Sequence, residues 1–229
     1  MTIELIDLLK AGVHFGHTKS KRHPGMIPYI FGVKQTINII DLEQTQIKLE
    51  EALNFVREIT SKGGVILFVS SKKQASEIVK EAAMKAKMPY INTRWLGGTF
   101  TNFDNIKQLP GKLKNMEDEQ AKGKWDRYTK KEALEKEREV VRLKEMVEGI
   151  KNMEKLPQAI FVVDMKTDKT AIQEATKTHI PVIAICDSNV NPKKVEYPIP
   201  GNDDAVKSIT FLTNAIAEAC VQPIAKDNK

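Results

Sequence analysis

Apolar positions along this chain follow two rhythms. Short continuous apolar runs appear at Val65–Val69, Ala159–Val163 and Val182–Cys186. Runs without polar interruption suit strands buried on both faces of a parallel sheet. Tyr90-Ile91 and Tyr197-Pro-Ile199 read as shorter strands, the latter an edge strand because it holds a proline. Between these runs the apolar period lengthens to that of a helix. Ile47, Leu49, Ala52, Leu53, Val56 and Ile59 predict a helix capped by Asp41, reaching about Lys62 and ended by Gly63-Gly64. Ser70-Ser71 are placed to cap a helix to about Lys87. A helix is expected over Lys169–Thr178, and a last one, capped by Asn202 or Asp203, to about Val221. A short first helix carries Ile3, Leu5, Ile6, Leu8 and Leu9, with Thr2 as its cap and Gly12 past its end. Pro28–Val33 and Thr36–Ile40 read as two short β segments. Strands alternating with helices predict an α/β fold, a Rossmann-like (flavodoxin-like) parallel sheet with helices on both faces.

The stretch from Phe103 to Met153 differs. Its apolar residues keep a 3-4-3 spacing, Ile106, Leu109, Leu113, Met116 in one arm and Val140, Leu143, Val147, Ile150 in the other. That is the seam of a coiled coil. Gly123–Tyr128 can turn between the arms, which predicts an antiparallel helical hairpin inserted into the α/β body. The expected division is a discontinuous domain over 1–103 and 154–225, with an N-terminal basic arm, an insert over 104–153, and a flexible tail at 226–229. Pro110-Gly111 interrupts the first arm. Interior proline costs ~3 kcal/mol in a helix, so a kink or a late helix start near residue 111 is expected.

Composition narrows the class only a little. The chain has 229 residues, 41% hydrophobic and 29% charged, with net charge +6. That is enough to bury a core and mildly favours an anionic partner. Cys186 and Cys220, the two cysteines, sit in apolar surroundings and read as free thiols. The first residues carry Glu4 and Asp7 where a signal peptide carries cations, and no apolar run approaches ~18 residues. The expectation is a cytoplasmic protein without a membrane segment.

Charge placement says more than net charge. No Asp or Glu occurs between Asp7 and Asp41, while Lys10, Lys19, Lys21, Arg22 and Lys34 fall there. The core of this run, Gly12–Gly25, also holds His14, His17 and His23. Such a loop cannot neutralise itself and calls for an external polyanion. A second segment, Asn92–Phe103, sets Arg94 and Trp95 beside Gly97-Gly98, then Thr99, Thr101 and Asn102. Arginine grips phosphate bidentately, an aromatic face stacks on a base, and glycine admits close backbone approach.

Five stretches, in order and at matching spacing, carry a family resemblance. They are Ala11–His17, Asn92–Asn102, Leu156–Asp164, Ile180–Ala184 and Ile199–Ala205. The chain resembles, from about Leu8 to about Ala219, the S-two family of the small ribosomal subunit in its bacterial form. The resemblance implies a Rossmann-like body with a coiled-coil hairpin and a non-enzymatic role as a structural constituent of the small subunit. It implies binding to 16S rRNA between head and body, late in assembly, beside neighbouring small-subunit proteins. It also implies help in docking the mRNA-recruiting protein S-one, with no membrane and no small-molecule substrate. On these motifs, residue chemistry assigns Lys19, Lys21, Arg22, Lys34, Lys72, Lys73 and Arg94 to phosphates. His14, His17 and Trp95 are assigned to stacking or edge contacts, and Asn102 joins the rRNA set.

Other chemistry was weighed on the same residues. The turn after Val69, Ser70–Ala75, is neither a Gly-x-Gly-x-x-Gly nor a Walker loop. Ser71, Lys72 and Lys73 still open a helix, where anions are favoured. An α/β enzyme binding a phosphorylated small molecule at the carboxyl edge of the sheet, using Ser70-Ser71 and Asp187, is the competing reading, and a protein scaffold built on the hairpin is a third. No cofactor is required. A parallel sheet would gather Asp187, Asp203 and Asp204 at its carboxyl edge, where with His17 or His14 they could hold a structural divalent ion, zinc or magnesium. The same acids serve equally as helix caps and a turn.

Overall fold

The computed structural model describes residues 4–123, 125 and 128–221. Thr2, expected to cap the first helix, and the tail at 226–229 lie outside the described residues. So do three positions of the turn expected at 123–128.

The runs expected to be strands form one five-stranded parallel sheet. Its members are β4 (Ile66–Val69), β5 (Tyr90–Ile91), β6 (Ala159–Val162), β7 (Val182–Cys186) and β8 (Tyr197–Pro200), in the order β5-β4-β6-β7-β8. Residues of β4, β6 and β7 are buried on both faces, which explains their unbroken apolar runs. Side chains alternate between two cores, as strand geometry demands. Ile66, Phe68, Phe161, Ile183 and Ile185 point to one core, with residues of α1 (Leu5–Ala11), α2 (Leu42–Ser61), α3 (Lys73–Ala86) and α8 (Val206–Val221). Leu67, Val69, Ile160, Val162 and Ala184 point to the other, with α7 (Lys169–Lys177) and the segment around Trp95 and Phe100. The prolines of β8 sit on an edge strand.

Local signals explain most boundaries. Asp41 caps α2 by accepting the Glu43 amide at 2.9 Å. Gly12 ends α1 at φ 73°, a left-handed conformation that glycine adopts without penalty. The start of α3 departs from expectation. Ser71 does not cap it; its hydroxyl donates to Asp168 at 2.5 Å, and Lys72 takes the N-cap position. Asn202, rather than Asp203, receives the Asp204 and Ala205 amides ahead of α8.

The basic segment expected as a loop contains a strand. Here β1 (Phe15–Thr18) pairs with β3 (Ile37–Ile40), which pairs with β2 (Ile30–Lys34), all antiparallel. Gln35 and Thr36 join β2 to β3 at φ 47° and 68°, the backbone a tight two-residue hairpin needs. No period-two apolar pattern marks β1: its ends, Phe15 and Thr18, are exposed and its middle residues, Gly16 and His17, are both half-buried at an irregularity in the pairing.

Pro110 causes no kink. The chain breaks between α4 (Phe103–Ile106) and α5 (Leu109–Ala121), and Pro110 falls in the first turn of α5, where its missing N–H costs nothing. Opposite lies α6 (Lys130–Val147), opened by a Thr129–Glu132 capping box. Lys112 reaches Glu139 at 2.7 Å, and Met116, Trp125 and Val140 form a small core with Leu113, Tyr128 and Leu143. The far end of this pair seats on β5, where a Cβ added at Gly149 would overlap the Tyr90 carbonyl oxygen. No helix among the described residues is long and apolar enough to cross a membrane.

Candidate functional site

The carboxyl edge of the parallel sheet gathers most of the chemistry. Lys72 follows β4, Asp164 follows β6, Asp187 follows β7, and Asp203 and Asp204 follow β8. His17 enters from β1. Its backbone N–H is shared by Asp187 at 3.2 Å and Ser188 Oγ at 2.8 Å. Its ring bridges two carboxylates, Nδ1 to Asp187 at 2.9 Å and Nε2 to Asp204 at 3.4 Å. The Asp187 hydrogen bond raises the imidazole pKa against the opposing effect of burial. One ligand atom from each of His17, Asp187, Asp203 and Asp204 lies within 4.8 Å of the others.

Lys72 closes the other side of this cluster. Its ammonium donates to the Asp203 carbonyl and to Asp204 Oδ1, both at 2.6 Å, with Asp203 Oδ1 at 3.3 Å and Asp164 Oδ2 at 3.5 Å. Burial, reinforced by Asp187 and Asp164, pushes the Asp203 carboxyl up to about 7. Acids thus outnumber cations at this edge.

The Asn92–Asn102 segment is organised from within by a residue far away in sequence. Glu174 of α7 is buried and accepts from Trp95 Nε1 at 3.1 Å, Gly98 N at 2.7 Å, Phe100 N at 3.0 Å and Thr101 N at 3.3 Å. Gly98 sits at φ 90°, the left-handed geometry that turns its N–H inward. Wrapped around this carboxylate, the segment buries Trp95, Thr99 and Phe100 and leaves Thr93, Arg94, Gly97, Thr101 and Asn102 outside.

Comparison with known proteins decides the family. The family model described as Ribosomal protein S2 matches residues 8–223. A relative, the small ribosomal subunit protein uS2 of Marinobacter nauticus, is 44% identical over 220 residues, covering 96% of this chain and 88% of the relative. The chain belongs to the ribosomal protein S2 family. It is therefore a ribosomal protein of the translation apparatus.

Against that family identity, the expected contact residues divide into three groups. Lys19, Lys21, Lys34, Lys73, Arg94 and Asn102 are exposed and Arg22 is half-buried. Among the described residues none of those cations has an ion-pair partner. A second group is committed to the fold. Trp95 is 7% exposed, packed edge-on to Phe100 and bonded to Glu174, so it offers no open face for a base. Lys72 is saturated by Asp203, Asp204 and Asp164, and His17 by Asp187 and Asp204, so neither is free for phosphate or base. His14 lies between: its ring tilts on Phe15 at 4.0 Å, its Nδ1 is buried without a partner, and burial lowers its pKa. The third group, Asp187, Asp203, Asp204 and His17, is brought together as one cluster.

Sequence reasoning missed Glu174 and Asp168, whereas Asp164 has the turn-forming role expected of an acid at the end of an apolar strand. Glu174 left a trace: it falls among Ala171, Ile172 and Ala175 on the buried face of α7, where a charge has to be paired. Asp164 accepts the Lys166 and Thr167 amides, and Asp168 accepts the Ser71 N–H and hydroxyl.

Replacing Glu174 by Gln puts an amide N–H against donors that need an acceptor. The Glu174→Gln variant should lose roughly 1–3 kcal/mol in chemical denaturation, with Trp95 fluorescence reporting the loosened segment. The Glu174 carboxyl is held below its usual range by these donors, against burial. Its stabilisation is therefore present above the unfolded-state carboxyl pKa and lost as pH falls through the lowered folded value. Wild type should lose stability faster than the variant as the pH is taken down through that range. Parallel pH profiles would refute this role.

Proposed function

We propose that the protein is a structural, non-catalytic constituent of the small ribosomal subunit that binds 16S rRNA in the cytoplasm, between head and body and late in assembly. The observation that carries this reading is a set of cations without ion-pair partners among the described residues, the exposed Lys19, Lys21 and Lys34 and the half-buried Arg22, on the acid-free N-terminal segment of a chain of the ribosomal protein S2 family. Arg94 adds a guanidinium held outward on the Glu174-clamped segment. Backbone neutralisation by these groups is the mechanism, so binding weakens as salt rises. The competing phosphate-binding enzyme loses its main residues: Lys72 is consumed by carboxylates and Ser71 by Asp168.

Three finer parts belong to the same proposal. The helices α5 and α6 act as an antiparallel coiled-coil insert on a discontinuous α/β domain, supported by burial of Met116, Val140 and Val147 from the 3-4-3 seam. Docking of the S-one protein uses the outer face of the three-stranded sheet. Phe31, at a bulge of β2, is 80% exposed, and Phe15, Val33 and Ile37 are 49%, 44% and 37% exposed. An apolar aromatic patch of that kind fits a protein partner better than phosphate. The His17–Asp187–Asp203–Asp204 cluster holds a structural divalent ion, zinc or magnesium: one imidazole and three carboxylates converge where acids outnumber cations.

Tagged protein should co-sediment with small subunits on sucrose gradients, less so at high salt, and reversal of Lys21, Arg22 and Arg94 to Glu should shift it to the top. Wild type sedimenting as a free species would refute ribosomal docking. For the partner patch, Phe31→Asp should abolish S-one retention while leaving co-sedimentation with small subunits intact; loss of both, or neither, would count against it. Elemental analysis of purified protein should find close to one divalent ion per chain, and chelation should lower the melting temperature of wild type but not of Asp187→Asn. A metal-free protein indifferent to added zinc and magnesium would remove the metal from the reading.

A further inference from the structure

A second cationic segment lies beside the first in space. Between Asp187 and Glu196 the chain reads Ser188-Asn-Val-Asn-Pro-Lys-Lys-Val195, again without an acid. Lys193 and Lys194 end a short 3-10 turn, Pro192–Lys194, whose start is capped by Asn191 Oδ1 accepting the Lys193 amide at 3.1 Å. Both lysines are exposed, and among the described residues neither has an ion-pair partner.

The fold joins this turn to the N-terminal basic segment. The His23 amide donates to the Ser188 carbonyl at 2.8 Å. A Cβ added at Gly25 would lie 3.2 Å from Asn191 Oδ1 and 3.3 Å from Pro192 Cδ, so the two turns are in van der Waals contact. The His17 amide is held by Ser188 at the base of the same junction.

Nearby carboxylates do not neutralise these lysines. Asp187 is occupied by His17 and by the Ser188 amide and hydroxyl. Asp204 is occupied by Lys72 and His17. The Glu196 carboxylate accepts the Val182 amide at 2.8 Å. Each of these acids is thus engaged by another group, and Lys193 and Lys194 are left exposed without an ion-pair partner among the described residues.

We infer that Lys193 and Lys194, together with Lys19, Lys21 and Arg22, form one continuous docking face for an RNA phosphodiester backbone. This rests on the RNA-binding reading above and extends it to residues 188–194. Lys19, Lys21 and Arg22 lead directly into His23 and Gly25, which abut the turn carrying Lys193 and Lys194, so the five cations present a track rather than a point. Such a track suits a polyanion, and a single phosphate would engage only part of it.

The test uses full-length protein rebinding to small subunits stripped of it by high salt, over a series of potassium chloride concentrations. Lys193→Ala/Lys194→Ala should bind more weakly, with the slope of log affinity against log salt smaller in magnitude by about 2. Circular dichroism should be unchanged, because both side chains are exposed. A photo-crosslinker at position 193 should label 16S rRNA. If Lys21→Ala/Arg22→Ala lowers the slope and the Lys193/Lys194 variant does not, the extension fails while the RNA reading stands. If wild type itself does not rebind, the RNA reading fails with it. Crosslinks to ribosomal proteins alone would assign the turn to a protein neighbour and overturn the inference.

Discussion

The pairing of His17 with Asp187 is the constraint on which the functional surface depends. It is made twice over, through the imidazole Nδ1 and through the backbone amide. Those contacts fasten the three-stranded N-terminal sheet to the carboxyl edge of the parallel sheet. Together with the His23 amide on the Ser188 carbonyl and with Val13 and Met26 buried in the two cores, they order the acid-free segment, which as a loose arm would pay an ordering cost on meeting any partner. With them, Lys19, Lys21 and Arg22 stand on a rigid element beside the turn that carries Lys193 and Lys194.

The same edge shows a consistent use of carboxylates. Glu174 gathers the amides of a wrapped segment, Asp164 those of a turn, and Asp168 the N–H and hydroxyl of Ser71. Each is an internal acceptor at a place where a doubly wound enzyme would receive a ligand. Anion sites that could have taken substrate phosphate are filled by the protein's own side chains. Charges facing inward are paired, and the unpaired ones face outward.

The parallel sheet was legible because β4, β6 and β7 are buried on both faces, and only apolar runs tolerate that position. The acid cluster was legible because loops that follow parallel strands emerge on one edge, so Asp187 and Asp203-Asp204 had to approach each other. The strand β1 was not, since its four residues hold one exposed Phe, a glycine, a histidine and a threonine and so carry no alternating apolar pattern. Trp95 misled for a related reason. Beside an arginine and two glycines it resembled a stacking residue, but a carboxylate some eighty positions later in the chain turned it inward. Pro110 announced a kink or a late helix start, and the structure takes the second: the helix breaks after Ile106 and restarts at Leu109, with Pro110 in the new first turn.

By itself the sequence determined the parallel sheet, most of the helices and the family, because hydrophobic period and local motifs are properties of neighbours along the chain. Only the tertiary structure decided which charges are spent. Lys72 and Lys73 are adjacent and chemically alike, yet Lys72 is consumed by Asp164, Asp203 and Asp204 while Lys73 is exposed. Lys193 and Lys194 are brought beside the N-terminal segment because Asn191 and Pro192 pack against Gly25 and Ser188 bonds His23. Whether a charge is paired depends on groups brought close by folding, and the energy of that pairing falls with distance in space, not along the chain.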